Sequence, residues 1–295
     1  MKLALGTVQF GLPYGVANRS GQPAEARIAE ILRLALSAGV EIIDTASLYG
    51  GAEAALGRCM PQGHCFRIVT KTPKFAGLSG PQAAALLGSA FEQSCLRLGS
   101  RNLYGLLTHD ADDLLGSAGG FIWQAMVELR SAGRVKRIGS SVYTGAQIDA
   151  LLGRIEPDLI QLPLSLLDQR LIAGGQLEHL AQRGIEVHAR SAFLQGALLL
   201  QDSELPAHLS ALRPLVNQIA VRAARLGLTR VEAALRYVAN LPQVSAVVCG
   251  VNSPAQFEEL LTALRVGYPE FSPADAAACA CTDPLLLDPS QWRAA

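Results

Sequence analysis

The sequence predicts a single α/β domain, residues 1–295, folded as a closed (β/α)8 TIM barrel. Short β-rich runs recur eight times along the chain, and Ala- and Leu-rich segments with helical spacing lie between them. Eight βα units in about this length are typical of the barrel. An open doubly wound sheet is the alternative, but the GxGxxG fingerprint typical of its dinucleotide-binding form is absent. No linker or break in composition indicates a second domain.

The eight predicted strands are short apolar runs. They cover residues 3–5, 40–43, 67–70, 103–107, 135–138, 159–162, 185–188 and 244–248. Predicted helices between them include residues 26–38, 82–98, 123–132 and 231–239. In the first helix, Ile28, Ile31, Leu32 and Ala35 repeat at three and four positions, which indicates a buried face.

Glycine residues mark the ends of several predicted helices. Gly39, Gly133 and Gly184 follow predicted helices, where a left-handed cap is common. The longest loop is predicted after the seventh strand, from residue 192 to 206. A C-terminal helical extension is predicted from Phe271 onward, with Trp292 packing back onto the body.

Composition excludes several classes of function. The chain has 25 basic and 25 acidic residues and no basic run, which argues against nucleic acid or an anionic membrane as a partner. No apolar stretch has the length of a membrane span. The six cysteines show neither CxxC pairs nor metal-ligand spacing, so we expect no metal site and reduced thiols in a cytoplasmic protein.

Four residues near the ends of three predicted strands carry the strongest chemical signal. Asp44 and Tyr49 follow the second strand, Lys71 ends the third, and His109 follows the fourth. Active sites of this barrel form at the carboxyl ends of the strands, so these side chains should meet. A phenol donates a proton well near neutral pH when a nearby cation lowers its pKa, and a carboxylate keeps a lysine charged and oriented.

Polar residues follow most of the other strands as well. They include Ser141, Gln161, Arg190, Ser191 and the segment from Gly250 to Ser253. Taken singly, each such residue could be a turn former or a surface charge. Taken together on one rim, they favour a binding and catalytic site.

The chain resembles the aldo-keto reductase superfamily, including its bacterial members, over essentially its whole length. The resemblance rests on LGTVQFG (residues 5–11), DTASLYGGAE (44–53), GRVKRIGSS (133–141), IQLP (160–163) and GVNSPAQFEE (250–259), with Lys71 and His109 between them. It implies the same barrel fold and NAD(P)H-dependent reduction of a carbonyl to an alcohol, or the reverse.

The resemblance also implies roles for individual residues. Tyr49 would protonate the carbonyl oxygen, with Lys71 lowering the pKa of its phenol, Asp44 holding Lys71 and His109 orienting the carbonyl. The implied cofactor-binding residues are Ser141 and Gln161 on the nicotinamide carboxamide, Arg190 and Ser191 beside the ring, and Gly250, Asn252, Gln256 and Glu259 at the pyrophosphate and adenosine end.

Three positions depart from the family pattern. Val142 stands where an asparagine is common, and Arg190 stands where many members stack an aromatic ring on the nicotinamide. Its planar guanidinium could stack there, bind an anion or form a salt bridge. Gln256 stands where an arginine grips the adenosine 2′-phosphate of NADPH in many members. The resemblance favours NADP(H) as cofactor, with NAD(H) as the alternative.

Polar side chains and an aromatic content of only 5% favour a small polar aldehyde or ketone, such as a sugar, over a steroid. The substrate loops are expected near residues 10–14, Leu48, Lys74, Phe75, Phe193 and Leu194. One alternative is a cofactor-binding regulatory subunit resembling the β subunits of potassium channels, with little turnover. Another is a barrel enzyme of different chemistry, which the absence of metal-ligand clusters and paired catalytic carboxylates disfavours.

Overall fold

Eight parallel strands close into a barrel. The computed structural model describes residues 2–264 and 271–292. The strands are β1 (Leu3–Gly6), β2 (Ile42–Asp44), β3 (Arg67–Lys71), β4 (Leu103–Thr108), β5 (Val135–Ser141), β6 (Leu159–Pro163), β7 (Glu186–Arg190) and β8 (Ala246–Gly250). Each strand pairs with the next, and β8 pairs with β1 with Leu5 opposite Cys249. The predicted fold class is therefore confirmed, and every predicted strand corresponds to one observed strand.

Helices surround this barrel. They are α1 (Val8–Gly11), α2 (Glu25–Ser37), α3 (Ala52–Cys59), α4 (Gly80–Leu98), α5 (Asp112–Leu115), α6 (Gly119–Ser131), α7 (Gly145–Leu152), α8 (Arg170–Ala173), α9 (Gln176–Gln182), α10 (Arg213–Arg225), α11 (Arg230–Ala239), α12 (Pro254–Ala263), α13 (Pro273–Ala277) and α14 (Pro284–Leu287). The four predicted helices correspond to α2, α4, α6 and α11. Gly39, Gly133 and Gly184 have φ between 68° and 73°, as expected of left-handed caps.

The apolar core has two main layers, because side chains alternate between the two faces of each strand. Ala4, Ile42, Val69, Leu107 and Leu159 form a buried cluster inside the barrel. Their neighbours along the strands pack outward against the helices in the largest cluster. The barrel interior is thus filled with side chains, and the carboxyl ends of the strands are left to form a site.

The predicted loop after β7 and the predicted C-terminal extension pack against each other. The loop contains two short 3₁₀ segments, Leu194–Leu199 and Asp202–Glu204, and a third, Ala207–Leu212, follows it and leads into α10. Together with α13 and α14 the loop encloses a second apolar cluster, against which Trp292 packs. The ring of Trp292 lies 5.8 Å from that of His208, so this expectation is confirmed. Within the described ranges, no helix combines the length and apolarity required to cross a bilayer.

Candidate active site

A cavity of about 430 Å³ opens at the carboxyl ends of the strands. Its lining includes all of the catalytic and cofactor-binding residues expected from the sequence, from Asp44 on β2 to Glu259 on α12. Barrel closure brings them together, because the eight strands point the same way and end at one rim. The predicted convergence is therefore observed as geometry.

Asp44 and Lys71 form a buried ion pair at the floor of this cavity. They end the neighbouring strands β2 and β3, and their side chains are almost fully buried. Lys71 Nζ donates to both carboxylate oxygens of Asp44 at 2.8 Å and to the carbonyl oxygen of Thr45 at 3.1 Å. An ammonium has three N–H donors, so these contacts use all of them. The pair is compensated within the protein and is rigidly positioned.

Tyr49 and His109 lie beside this ion pair. Lys71 Nζ is 5.2 Å from the centroid of the Tyr49 ring and faces the ring. The rings of Tyr49 and His109 pack edge to face, with centroids 5.7 Å apart and planes at 88°. Nδ1 of His109 is buried without a hydrogen-bond partner among the described residues. An imidazole and a phenol are thus held side by side at the same end of the cavity.

Burial dominates the electrostatics of Tyr49. Burial first, and then the negative charge of Asp44, raise the pKa of the Tyr49 phenol above its ordinary value, while the charge of Arg190 acts in the opposite direction. The dominant cause is burial, and the charge of Lys71 is paired with that of Asp44. Tyr49 is therefore held in its protonated form. The lowering of the Tyr49 pKa by Lys71 stays a prediction.

The other two groups respond to the same environment. Burial first, and then the charge of Lys71, lower the pKa of His109 to about 4, so its imidazole is neutral near pH 7. Burial also lowers the pKa of Lys71, which the adjacent Asp44 carboxylate opposes. The Asp44 carboxylate at 2.8 Å favours the ammonium form of Lys71.

Gln161 is tied to the catalytic end of the cavity. Its Nε2 donates to Asp44 Oδ1 at 2.7 Å, and the residue is almost fully buried at the end of β6. One N–H of the Gln161 amide is therefore used by Asp44, and its second N–H and its oxygen are left for another partner. Ser141 lines the cavity from the end of β5, as expected.

Arg190 stacks on a ring that the sequence reasoning did not single out. Its guanidinium carbon lies 4.0 Å from the centroid of the Tyr143 ring. Its Nη2 donates to the carbonyl oxygen of Val142 at 2.9 Å, and its Nη1 donates to Ser191 Oγ at 3.3 Å. Within the described ranges Arg190 forms no ion pair, so the salt-bridge alternative is not observed there.

The far end of the cavity is formed by the start of α12. Ser253 caps this helix by accepting from the backbone N–H of Gln256. Gln256 Oε1 accepts from the backbone N–H of Asn252 at 2.7 Å, and Asn252 Nδ2 donates to the carbonyl oxygen of Gly21 at 2.7 Å. Glu259 is the charged residue at this end. No described cation lines this part of the cavity.

Several lining residues were missed or misplaced by the sequence reasoning. Tyr143 was not assigned a role, yet it lines the cavity. The aromatic directly after the polar end of β5 was the available signal for Tyr143. Conversely, Phe10, Phe75 and Leu194 were expected near the substrate but are buried in the apolar core. Helical and turn geometry, which the sequence pattern did not resolve, points these three inward.

Comparison with known proteins agrees with this architecture. A family model described as the Aldo/keto reductase family matches residues 2–279. An aldo-keto reductase of Mycolicibacterium vanbaalenii is 29% identical over 189 residues, a match covering 61% of this chain and 63% of that relative.

Two solved structures share the fold at lower identity. The aldo-keto reductase of Bacillus halodurans, solved in holo form, is 19% identical with a TM-score of 0.73, and the match covers 94% of this chain and 90% of that one. A Pseudomonas aeruginosa protein described as an aldo-keto reductase is 23% identical with a TM-score of 0.65, over 89% and 88% of the two chains. These findings give no support to the regulatory-subunit alternative. Because the family model matches nearly the whole length, the chain belongs to the Aldo/keto reductase family.

Proposed function

We propose that this protein is an NAD(P)H-dependent carbonyl reductase acting on a small polar aldehyde or ketone, with Tyr49 as the general acid. One observation carries the proposal. A protonated phenol, a neutral imidazole and a compensated Lys–Asp pair lie together at one end of a cavity that extends to the start of α12. This set can supply a proton to an oxygen that gains negative charge.

Each of the four catalytic residues has a separate role in the proton transfer. Tyr49 donates its phenolic proton to the carbonyl oxygen of the substrate. His109, which is neutral, orients that oxygen with a hydrogen bond from its ring. Lys71 places a positive charge 5.2 Å from the Tyr49 ring centroid, where it stabilises negative charge that develops on the phenol. Asp44 holds Lys71 in place.

The residues present fit a nicotinamide dinucleotide. Gln9 Oε1 and His109 Nδ1 are buried polar atoms without partners among the described residues, and both residues line the cavity. At Gly250, the side-chain amide of Gln9 fills the space that a Cβ would need. Gly250, Asn252, Gln256 and Glu259 would hold the adenosine end, and Ser141, Gln161 and Ser191 the nicotinamide end, with Arg190 beside them. When bound, the cofactor supplies the hydride.

The cofactor preference rests on two opposing arguments. The family resemblance favours NADP(H). The described lining near α12, however, offers a carboxylate from Glu259 and no cation for a 2′-phosphate, and Gln256 is engaged by Asn252. We therefore propose a nicotinamide cofactor, NADP(H) or NAD(H), and unfolding in the presence of each form distinguishes them.

Replacing Tyr49 by Phe tests the proton-donor role. The change removes only the hydroxyl, so the ring packing with His109 and the cavity shape are kept. We expect kcat for a model aldehyde such as glyceraldehyde to fall by roughly 10²–10⁴-fold, because positioned proton transfer contributes about that much. The Kd for NADPH or NADH, measured by fluorescence titration, should change by less than about threefold.

A tyrosine outside the cavity provides the control. Tyr237 lies on α11 and is not part of the cavity lining. Tyr237→Phe also removes one hydroxyl and should retain most of kcat. Full activity in Tyr49→Phe would disprove the general-acid role, and failure of both nicotinamide cofactors to bind would disprove the cofactor.

A further inference from the structure

Arg190 is a cation whose charge is not offset by a neighbouring carboxylate in the described chain. Four charged residues line the cavity, namely Asp44, Lys71, Arg190 and Glu259. His109 also lines it but is neutral. Asp44 and Lys71 neutralise each other at 2.8 Å, and Glu259 lies on α12 at the other end. The reactive end of the cavity therefore carries about one net positive charge.

The partners of Arg190 are all neutral. Its guanidinium stacks on the Tyr143 ring and donates to the Val142 carbonyl and the Ser191 hydroxyl. These contacts fix the plane of the guanidinium but supply no negative charge. A guanidinium has five N–H donors in a fixed fork, so donors remain for a further acceptor. A partly buried arginine held in this way is suited to bind an anionic oxygen pair.

Three tyrosines line the cavity together with the Arg190 guanidinium. Tyr14, Tyr49 and Tyr143 line the cavity with Arg190, and the charge of Arg190 acts on the first two. Burial raises the pKa of Tyr14 to about 12, so its hydroxyl stays neutral and can donate. An arginine among neutral hydroxyl donors has the polarity needed for a carboxylate or phosphate, because a hydrogen bond to a charged acceptor is stronger than one to a neutral acceptor.

We propose that Arg190 binds an anionic group, a carboxylate or a phosphate, carried by the carbonyl substrate itself. This inference rests on the proposed reductase function and makes it more specific: the substrate is an oxo acid or an aldehyde or ketone phosphate. The same anionic chemistry could come from a cofactor phosphate, and the experiment below separates the two sources.

The first measurement compares a charged aldehyde with a neutral one of similar size. Succinic semialdehyde and butanal differ in a terminal carboxylate and methyl group. We expect kcat/KM to favour the charged aldehyde by tenfold or more in the wild type. Arg190→Gln should reduce that ratio by roughly 10–100-fold, since a hydrogen bond to a charged group is lost. Arg190→Lys keeps the charge without the fork and should retain part of the ratio.

Arg33 provides the control, because it is exposed on α2 and lies outside the cavity lining. Arg33→Gln removes the same charge and should leave the ratio unchanged. No preference for the charged aldehyde in the wild type would overturn the proposal. Equal losses for both aldehydes in Arg190→Gln would also overturn it, because that result describes a general role in positioning or cofactor binding.

The second measurement needs no turnover and therefore separates this inference from the proposed function. Benzoate and benzamide are an anionic and a neutral probe of nearly the same shape, and calorimetry gives their Kd values with and without saturating NADPH. We expect benzoate to bind at least tenfold more tightly, and Arg190→Gln to abolish the difference. Competition of benzoate with NADPH would assign the anion to the cofactor and overturn the proposal. Absent reductase activity with an intact benzoate preference would disprove only the proposed function.

Discussion

At the scale of single residues, the ion pair of Lys71 and Asp44 decides how the other groups behave. The Lys71 ammonium donates its three N–H groups to Asp44 and Thr45, and Asp44 also accepts a hydrogen bond from Gln161. This arrangement compensates two buried charges, and it leaves no Lys71 donor for the Tyr49 hydroxyl. The residue types were evident from the sequence, but this distribution of hydrogen bonds was not.

His109 gives this site a pH dependence. Its folded-state pKa of about 4 lies below the ordinary 6.5, because burial and Lys71 disfavour the imidazolium. As pH falls from about 6.5 to 4, the unfolded chain binds a proton that the folded chain does not. The free energy of unfolding therefore decreases as pH falls through this window.

Between pH 6.5 and 4, the free energy of unfolding of His109→Asn should decrease less than that of the wild type. We expect the two decreases to differ by about 1–3 kcal/mol. Urea unfolding at pH 7, 5.5 and 4 measures this difference. The exposed helix residue His179 provides the control, and His179→Asn should follow the wild-type curve. Parallel curves for His109→Asn and the wild type would contradict the expectation.

At the scale of elements, close packing of α1 against the start of α3 positions Tyr49. Gly11 ends α1, and a Cβ there would collide with the carbonyl oxygen of Tyr49 and the backbone nitrogen of Ala52. Gly50, with φ of 54°, allows the chain to turn sharply between them. Both glycines lie in the sequence segments that resemble the family. The close backbone contact between α1 and the start of α3 explains why glycine is needed at both positions.

Gly11→Ala should therefore displace Tyr49. We expect kcat to fall by tenfold or more, since a shift of about 1 Å can cost up to roughly 10²-fold, and stability to decrease by about 1–3 kcal/mol. Gly51→Ala is the matched control, because its φ is −82° and no atom lies within 4 Å of its would-be Cβ. Steady-state kinetics and urea unfolding test both variants. Equal effects of the two changes would rule out the steric explanation.

At the scale of the whole molecule, the cavity exists only when the barrel is closed. Its lining comes from the ends of seven strands, from His109 just after β4, from α12, and from the C-terminal segment at Pro289 and Ser290. The residues that would hold one dinucleotide are therefore spread over most of the chain. A ligand that binds this cavity binds the folded state and not the unfolded chain, so it must stabilise the fold.

A nicotinamide cofactor at 100 times its Kd should add about 2.7 kcal/mol to the free energy of unfolding. Thermal unfolding with NADPH and with NADH compares the two forms. Gln256→Arg should increase the stabilisation by NADPH relative to NADH, because it places a cation near a 2′-phosphate. Thr262→Arg adds the same charge on α12 outside the cavity lining, and it should change the stabilisation by neither cofactor. If both variants increase the stabilisation by NADPH, the effect is a nonspecific one of charge.

The eight βα units, the approximate ends of the strands and the residue types at the rim could be predicted from the sequence, because local periodicity and turn residues encode them. Which of those side chains contact each other depends on the closed barrel. Gln161 reaches Asp44 across 117 positions, and Arg190 reaches Val142 across 48. These contacts depend on barrel closure and register, which bring distant strand ends within hydrogen-bond distance. That is why the residues of the site could be named from the sequence, while the compensated Lys71 and the uncompensated Arg190 emerged only from the fold.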